Sequence, residues 1–383
     1  MNKEIEELLS RSVKEILPTK ESLHEALLSG RKLRIYIGTD ATGQSLHLGH
    51  ATNYMILERF RRLGHEVIFL IGDFTSRIGD PTDKGDIARK QLTREEVVRN
   101  TKTWTNQIRP VIDIDNKDNP VRVMYNHEWL SELTLEDLLN LASNFTVQQM
   151  IERDMFEKRI KDNKPLYLHE LFYPLMQGFD SVAMDVDMEV CGTDQKFNAL
   201  AGRTLLKKLK NKEKFVFITT LLENPVTGEK MMSKSQGTGV FLDFDAGKMY
   251  GALMAQPDGN MRQLFIDCTW LELSEIENIL IAKNPRDAKI HLAREIVSIY
   301  HGEKVAEEAE KNFIETFSKG GIPKDIKTIK VGKDMSLAEI LIQQGLVSSK
   351  TEFNRLSKAG AIEEIENGVY RIGKHRFLRI EQV

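Results

Sequence analysis

Along the first 220 residues, short blocks of continuous apolar residues alternate with longer stretches whose apolar positions recur every three or four residues. Leu33–Ile37, Glu66–Ile71, Val121–Tyr125, Val186–Cys191 and Phe215–Ile218 are strand-sized blocks, and runs of this kind belong to strands buried on both faces. Helical spacing between them predicts helices over 3–30, 48–63, 133–161, 167–178 and 194–210. Gly64 stops the second helix and Gly192 breaks the run that ends at Cys191. Repeated strand–turn–helix–strand units build a parallel sheet. The chain is therefore predicted to open with an α/β domain over residues 1–240, interrupted by a helical insertion at about 75–185. Gly72–Gln91, rich in Gly, Asp and Pro, reads as a long loop. From Phe244 to Ser318 the pattern is helical throughout, predicting an α-helical domain at 241–320. Gly320–Pro323 is the linker candidate. Residues 321–383, with helical patterns at 336–344 and 350–359 and strand-like pieces after them, are predicted to form a small α+β domain.

Composition narrows the class. With 383 residues, 41% hydrophobic and 29% charged, the chain is an ordinary globular mixture and not a disordered, collagen-like or wholly coiled-coil one. No run approaches the roughly 18 apolar residues of a membrane span, and the N-terminus (Lys3, Glu4, Glu6, Glu7) has no apolar signal core. Two cysteines, Cys191 and Cys268, cannot make a disulfide framework or a structural zinc site, so a reducing cytoplasm is expected. The net charge of −3 is uneven: residues 321–383 hold 11 Lys and Arg against 8 Asp and Glu, while the rest is acidic. A basic tail on an acidic body fits an appended nucleic-acid module or a chance scatter of solvated charges.

Two motifs carry chemistry. His47-Leu48-Gly49-His50 lies where a strand and turn feed a helix. The unpaired N–H groups and positive dipole end of a helix N-terminus attract phosphate, histidines add donors, and Gly49 lets a ligand approach the backbone. Lys230-Met231-Met232-Ser233-Lys234-Ser235-Gln236-Gly237 follows a strand and a Pro225/Gly228 turn; lysines on such a loop can close over a polyphosphate. Taken singly, a histidine pair or a basic loop is equally compatible with surface or satisfied core residues.

Together, an HxGH turn and a KMSKS-like loop on one chain resemble the class I aminoacyl-tRNA synthetases. Tyr36-Ile37-Gly38-Thr39-Asp40, Tyr173–Asp180 (YxxxQxxD) and Gly192–Asn198 (GxDQxxN) narrow the resemblance to the bacterial tyrosyl-tRNA synthetase family, along essentially the whole chain. The tail from Met335 resembles the S-four-type RNA-binding domain that ends many members. The resemblance implies a Rossmann-like catalytic domain, an anticodon-side helical domain, a homodimer joined through the inserted helices, and tyrosine tRNA, ATP and L-tyrosine as partners, with Mg²⁺ accompanying ATP. It also implies roles. Thr42, His47, His50, Lys230 and Lys234 would act on the phosphates. Tyr36 and Asp180 would meet the phenol, and Asp80, Tyr173 and Gln177 the substrate ammonium. Gln195 would orient the substrate carboxylate. Gly38, Asp40, Gly49, Gly192, Asp194, Met232 and Ser233 would join Lys234 around ATP. Lys350, Arg355, Lys358, Arg371, Lys374 and Arg376 would meet tRNA phosphates, and Lys84 and Arg89 are further candidates for pyrophosphate.

Two positions depart from the family pattern. Ala41 stands where proline is common, and Met231 takes the first motif position, with Lys230 one step earlier. Tryptophan as substrate is the neighbouring alternative, against which Tyr36 and Asp180 speak. A retired RNA-binding paralogue would be expected to show degraded nucleotide motifs. A small-molecule nucleotidyltransferase would lack both the Tyr/Gln/Asp pocket and the basic tail.

Overall fold

The computed structural model describes residues 2–80, 92–151, 154–223, 231–232, 239–318, 328–331, 335–366, 368–373 and 376–382. Six strands, β1 (Val13–Leu17), β2 (Arg34–Asp40), β3 (Glu66–Gly72), β4 (Arg122–Tyr125), β5 (Met188–Gly192) and β6 (Phe215–Thr219), form one sheet in the order β1-β6-β5-β2-β3-β4. All neighbours are parallel except β1, which runs antiparallel to β6. β2, β3 and β4 step toward one edge, while β5 and β6 step toward the other. The chain order thus reverses between β2 and β5, and the crevice beyond the carboxyl ends of strands at such a reversal is where open α/β sheets place ligands.

The blocks expected as strands are strands, because continuous Val, Ile and Phe suit a sheet covered on both faces. Val67 to Ile71 are all at most 1% exposed. The N-terminal helix expected over 3–30 is two helices, Asn2–Leu8 and Lys20–Leu28, with β1 between them. Ser12, at φ 58°, turns the chain. Thr19 restarts the helix by accepting a hydrogen bond from the Ser22 amide at 3.1 Å. The helix expected over 133–161 is likewise three: Leu135–Ala142, Val147–Ile151 and Asp154–Lys161. Thr134 and Thr146 each cap a new start, since short hydroxyl side chains favour such starts over helix interiors. Of the loop expected at 72–91, residues 72–80 are described and include the helical turn Thr75–Ile78; helices Arg94–Thr101 and Trp104–Ile108 come after it.

Helix Leu168–Ala183 packs on the sheet beside helix Lys196–Lys210. A Cβ on Gly178 would lie 3.1 Å from the Gly202 nitrogen, so two glycines permit the close crossing. The helices from Ala246 to Ser318 share one continuous core with the sheet. Arg11, 4% exposed, ties the two regions together by donating to the carbonyls of Phe265, Ile266, Thr269 and Leu271. Two of these carbonyls belong to the last turn of helix Met261–Cys268, where intrahelical partners run out, and two to the segment just after it.

The last segment has its own small core of Ile340, Leu341, Val347, Ile372 and Leu378. Helices Leu337–Gln343 and Lys350–Lys358 sit with strands β7 (Thr328–Val331), β8 (Ile362–Glu366), β9 (Val369–Ile372) and β10 (Arg376–Gln382), ordered β7-β10-β9-β8. Gly320–Pro323, the expected linker, lies outside the described residues. Among the described residues no helix is long and apolar enough to cross a membrane.

Candidate active site

A cavity of about 260 Å³ opens at the strand reversal. It is lined by Gly38, Asp40, Thr42, His47, Gly49, His50, Asp80, Tyr173, Gln177, Asp180, Gly192, Asp194, Gln195 and Met232, so residues read from five separate stretches of sequence converge here.

One end is built on the turn after β2. The inserted helices hold this turn by its backbone. Asn100 donates to the Ala41 carbonyl at 2.8 Å, Trp104 to that of Gly43 at 3.1 Å, and Gln107 to that of Gln44 at 2.9 Å while accepting from the Leu46 amide at 2.7 Å. Ala41, in place of the family's proline, is therefore pinned from outside. The turn delivers the chain into helix Leu48–Arg62. The His47 amide donates to Nδ1 of His50 at 3.2 Å, which leaves the proton of a neutral His50 ring on Nε2. The two rings pack with centroids 3.8 Å apart. A Cβ on Gly49 would lie 3.1 Å from the His47 ring, so this glycine makes room for the imidazole itself. Val240 and Leu242 pair in antiparallel fashion with the same turn (Leu48 N to Val240 O 3.0 Å, Leu242 N to Leu46 O 2.8 Å). Across from it, a Cβ on Gly192 would fall 2.8 Å from Oδ1 of Asp194, so Gly192 is needed for the carboxylate of Asp194 to lie where it does.

The other end is acidic. Asp40 accepts from Thr75 at 2.7 Å and from the Tyr173 hydroxyl at 2.9 Å. Burial, chiefly, pushes Tyr173 well above the usual phenol range, so it stays a neutral donor to Asp40 with its oxygen lone pairs still able to accept. Gly72 is obligatory behind this pair, because a Cβ there would overlap Oδ1 of Asp40. Asp180, 2% exposed, is gripped on both oxygens: Trp129 Nε1 donates at 2.8 Å and Asn126 Nδ2 at 3.2 Å. Burial outweighs these donors and raises its carboxyl well above the ordinary carboxylate range. Gln195 donates to Asp80, and Asn198 donates to the side-chain carbonyls of both Gln177 and Gln195 at 2.9 Å.

Tyr36, expected at the phenol, is buried at the same acidic end, beside Asp180. Its hydroxyl lies 3.0 Å from the Ser181 Oγ, and burial together with the nearby Glu189 and Asp180 pushes it well above the usual phenol range. At 1% exposure it is part of the floor, because β2 directs alternate side chains inward and helix Leu168–Ala183 covers that face. Trp129 and Asn126, which sequence reading missed, occupy the partner positions around Asp180. Asn126 directly follows β4, and a polar residue at the carboxyl end of a parallel strand was the available signal. Trp129 has no local signature. Cys191 also lines the cavity, and its thiol is pushed well above its usual range, mainly by burial, so it is inert at neutral pH.

Lys84, Arg89, Lys230, Ser233, Lys234 and Lys374 lie outside the described residues. Arg355 and Lys358 are exposed on helix Lys350–Lys358. Three other expected tRNA contacts are engaged within the chain: Lys350 with Glu339 at 3.3 Å, Arg371 with Glu363, and Arg376 with the Leu346 carbonyl. Among the described residues no group of three or more His, Cys, Asp or Glu side chains is placed to hold a metal ion.

Comparison with known proteins gives a consistent result. Residues 28–318 match the family model described as tRNA synthetases class I (W and Y). The tyrosine–tRNA ligase of Carboxydothermus hydrogenoformans is 39% identical, the match covering 98% of this chain and 97% of that protein. That of Haemophilus influenzae is 40% identical over 97% of this chain and 95% of its own length. Among solved structures, a C-terminally truncated mitochondrial tyrosyl-tRNA synthetase of Coccidioides posadasii superposes with a TM-score of 0.66 at 25% identity, covering 80% of this chain and 91% of that one. The Archaeoglobus fulgidus tyrosyl-tRNA synthetase complexed with L-tyrosine shares the fold with a TM-score of 0.62 at 19% identity, over 81% of this chain and 100% of that one.

Proposed function

From the premise that the chain belongs to the class I tRNA synthetases of the tryptophan and tyrosine group, we infer that it is a tyrosine–tRNA ligase and that the cavity at the strand reversal is where the reaction occurs. The enzyme activates L-tyrosine with ATP and transfers it to tRNA. The observation that carries the tyrosine assignment is the buried Asp180, both oxygens oriented by Trp129 and Asn126, at the acidic end of a cavity whose other end is a helix N-terminus bearing two histidines. An aspartate held in this way presents an acceptor to a phenolic hydroxyl. Asp80, Gln177 and the Tyr173 oxygen offer acceptors to an ammonium.

In the first step a carboxylate oxygen of tyrosine attacks the α-phosphorus of ATP. The bond from that phosphorus to the β-bridging oxygen breaks, and pyrophosphate leaves with the electron pair. The nucleophile is already charged, so no general base is required. The protein contributes position and electrostatic stabilisation. Thr42 and His47 meet the β- and γ-phosphates, while Gly49 and His50 frame the adenosine and Asp194 accepts from a ribose hydroxyl. Lys234, with Lys230, neutralises the leaving pyrophosphate. Mg²⁺ enters with ATP as part of the substrate, held by phosphate and water oxygens. In the second step the terminal adenosine hydroxyl of tRNA attacks the adenylate carbonyl and AMP leaves. ATP–pyrophosphate exchange across a panel of amino acids tests the assignment: tyrosine alone should sustain exchange. Exchange with tryptophan, or none with any amino acid, would overturn it.

The C-terminal segment is proposed as an S-four-type RNA-binding domain, the helical region 241–320 as the anticodon-side domain, and the cytoplasm as the place of work. Arg355 and Lys358 supply phosphate contacts. Replacing both with alanine is expected to raise the KM for tRNA and flatten its dependence on salt, leaving tyrosine-dependent exchange unchanged.

A homodimer is proposed through the inserted helices. Leu135, Leu139, Val147, Ile160, Tyr167 and Leu168 are all exposed, Leu135 at 73% and Leu168 at 69%, within one stretch of the chain. Apolar residues concentrated in this way mark an interaction surface. Leu139→Glu would place a charge in that interface, and the mass measured by sedimentation is expected to fall from dimer to monomer.

A further inference from the structure

At the acidic end of the cavity lies an ion pair that the reaction as described does not use, with Glu189 in the lining and Lys214 behind it. Lys214 is 0% exposed and Glu189 2% exposed. They stand on neighbouring strands, Lys214 just before β6 and Glu189 on β5, and are in direct contact. The Lys214 ammonium also donates to Ser181 Oγ at 2.8 Å and lies 5.7 Å from the centre of the Tyr36 ring. The room it occupies depends on Gly202, where a Cβ would lie 2.7 Å from Lys214 Nζ. Burying such a pair gives little net stability compared with apolar side chains of similar volume, so its presence calls for another reason.

Glu189 has one oxygen engaged by Lys214 and the other, Oε1, by Gln177, whose Nε2 donates to it at 3.0 Å. An ionised carboxylate only accepts, so it fixes which end of the Gln177 amide faces it. The carbonyl end then points the other way, toward Asn198, which donates to it at 2.9 Å. A carbonyl oxygen has a second lone pair, and Gln177 lines the cavity. We propose that the buried Lys214–Glu189 pair is a positioning device that holds the Gln177 amide with its carbonyl available to the substrate ammonium. Lys214 lets Glu189 remain in place as an acceptor with its charge balanced, and Glu189 orients Gln177. Lys214 lies behind the cavity lining, and Glu189, though in the lining, has both oxygens engaged within the chain. This assignment rests on the tyrosine reading given above.

The test is the double variant Lys214→Met/Glu189→Leu, which leaves the net charge unchanged and replaces a buried pair with apolar side chains, an exchange that folds tolerate. Its KM for tyrosine in ATP–pyrophosphate exchange is expected to rise about tenfold, the size of one hydrogen bond to a charged group, with the KM for ATP and kcat nearly unchanged. Inhibition by 3-(4-hydroxyphenyl)propanoate, which keeps the phenol and carboxylate but lacks the ammonium, is expected to be the same as in the parent enzyme. Glu189→Gln, which keeps the volume but can turn an N–H toward Gln177 and so flip its amide, is expected to show the same split and serves if the double variant does not fold. Equal weakening of tyrosine and of the propanoate would make the pair merely structural and overturn the proposal, as would an unchanged KM for tyrosine. So would tighter tyrosine binding in Lys214→Met alone, because Glu189 would then be binding the ammonium directly. Failure of the parent enzyme to exchange with tyrosine would instead defeat the substrate assignment.

Discussion

Asp180→Asn is expected to weaken tyrosine binding by about tenfold, because the amide keeps one acceptor oxygen where Trp129 and Asn126 donate to two, and at the same time to change how the folded protein's heat resistance depends on pH. Both effects come from one environment. Burial, opposed by Trp129 and Asn126, raises the Asp180 carboxyl well above its ordinary range. In the unfolded chain the group titrates near about 3.9. Between that value and the raised folded one, the folded state holds more protons than the unfolded state, so the contribution of Asp180 to stability falls as pH rises. Asparagine carries no charge to bury. The variant's melting temperature relative to the parent's should therefore rise with pH above about pH 4 and stay constant below it, where both side chains are neutral. Affinity for phenylalanine, which brings no hydroxyl to Asp180, should scarcely change. Thermal melts across pH, with equilibrium binding of the two amino acids, check the prediction; a difference in melting temperature that does not change with pH would refute the account of the site.

His47→Ala should show the opposite division. The rate of adenylate formation, followed by pyrophosphate exchange or single turnover, is expected to fall by about a hundred- to a thousandfold, the usual consequence of removing one donor from developing negative charge. Tyrosine affinity should stay within about twofold, because an interaction made mainly in the transition state acts on rate more than on ground-state binding. The geometry supports the separation. His47 belongs to the turn held by Asn100, Trp104 and Gln107, and the acidic end is built by helix Leu168–Ala183 and by the residues after β3 and β4. A large loss of tyrosine affinity with normal turnover would place His47 at the wrong end of the cavity.

What could be read from the sequence alone was local in its physics. Buried parallel strands appear as unbroken apolar blocks, as in Val67–Ile71, and a turn that feeds a helix appears as Gly and polar residues before His47. The motif stretches could be placed at the carboxyl ends of β2 and β5 because strand, turn and helix follow one another within a few residues. Helix boundaries were less legible where Ser12 or Thr146 broke a continuous periodicity, since a single cap or a turn at positive φ overrides the pattern.

The partners of the buried polar groups were decided by tertiary packing. Tyr36 and Ser181 are 145 positions apart, Asp180 and Trp129 are 51, and Lys214 and Glu189 are 25. Nothing in the neighbourhood of each residue in the chain records which of them will meet. The sequence near Tyr36 could not say that helix Leu168–Ala183 would bring Ser181 to within 3.0 Å of its hydroxyl. Sequence fixes the period with which side chains alternate between faces; the fold fixes what lies opposite each face, and a buried donor or acceptor must bond to whatever is there.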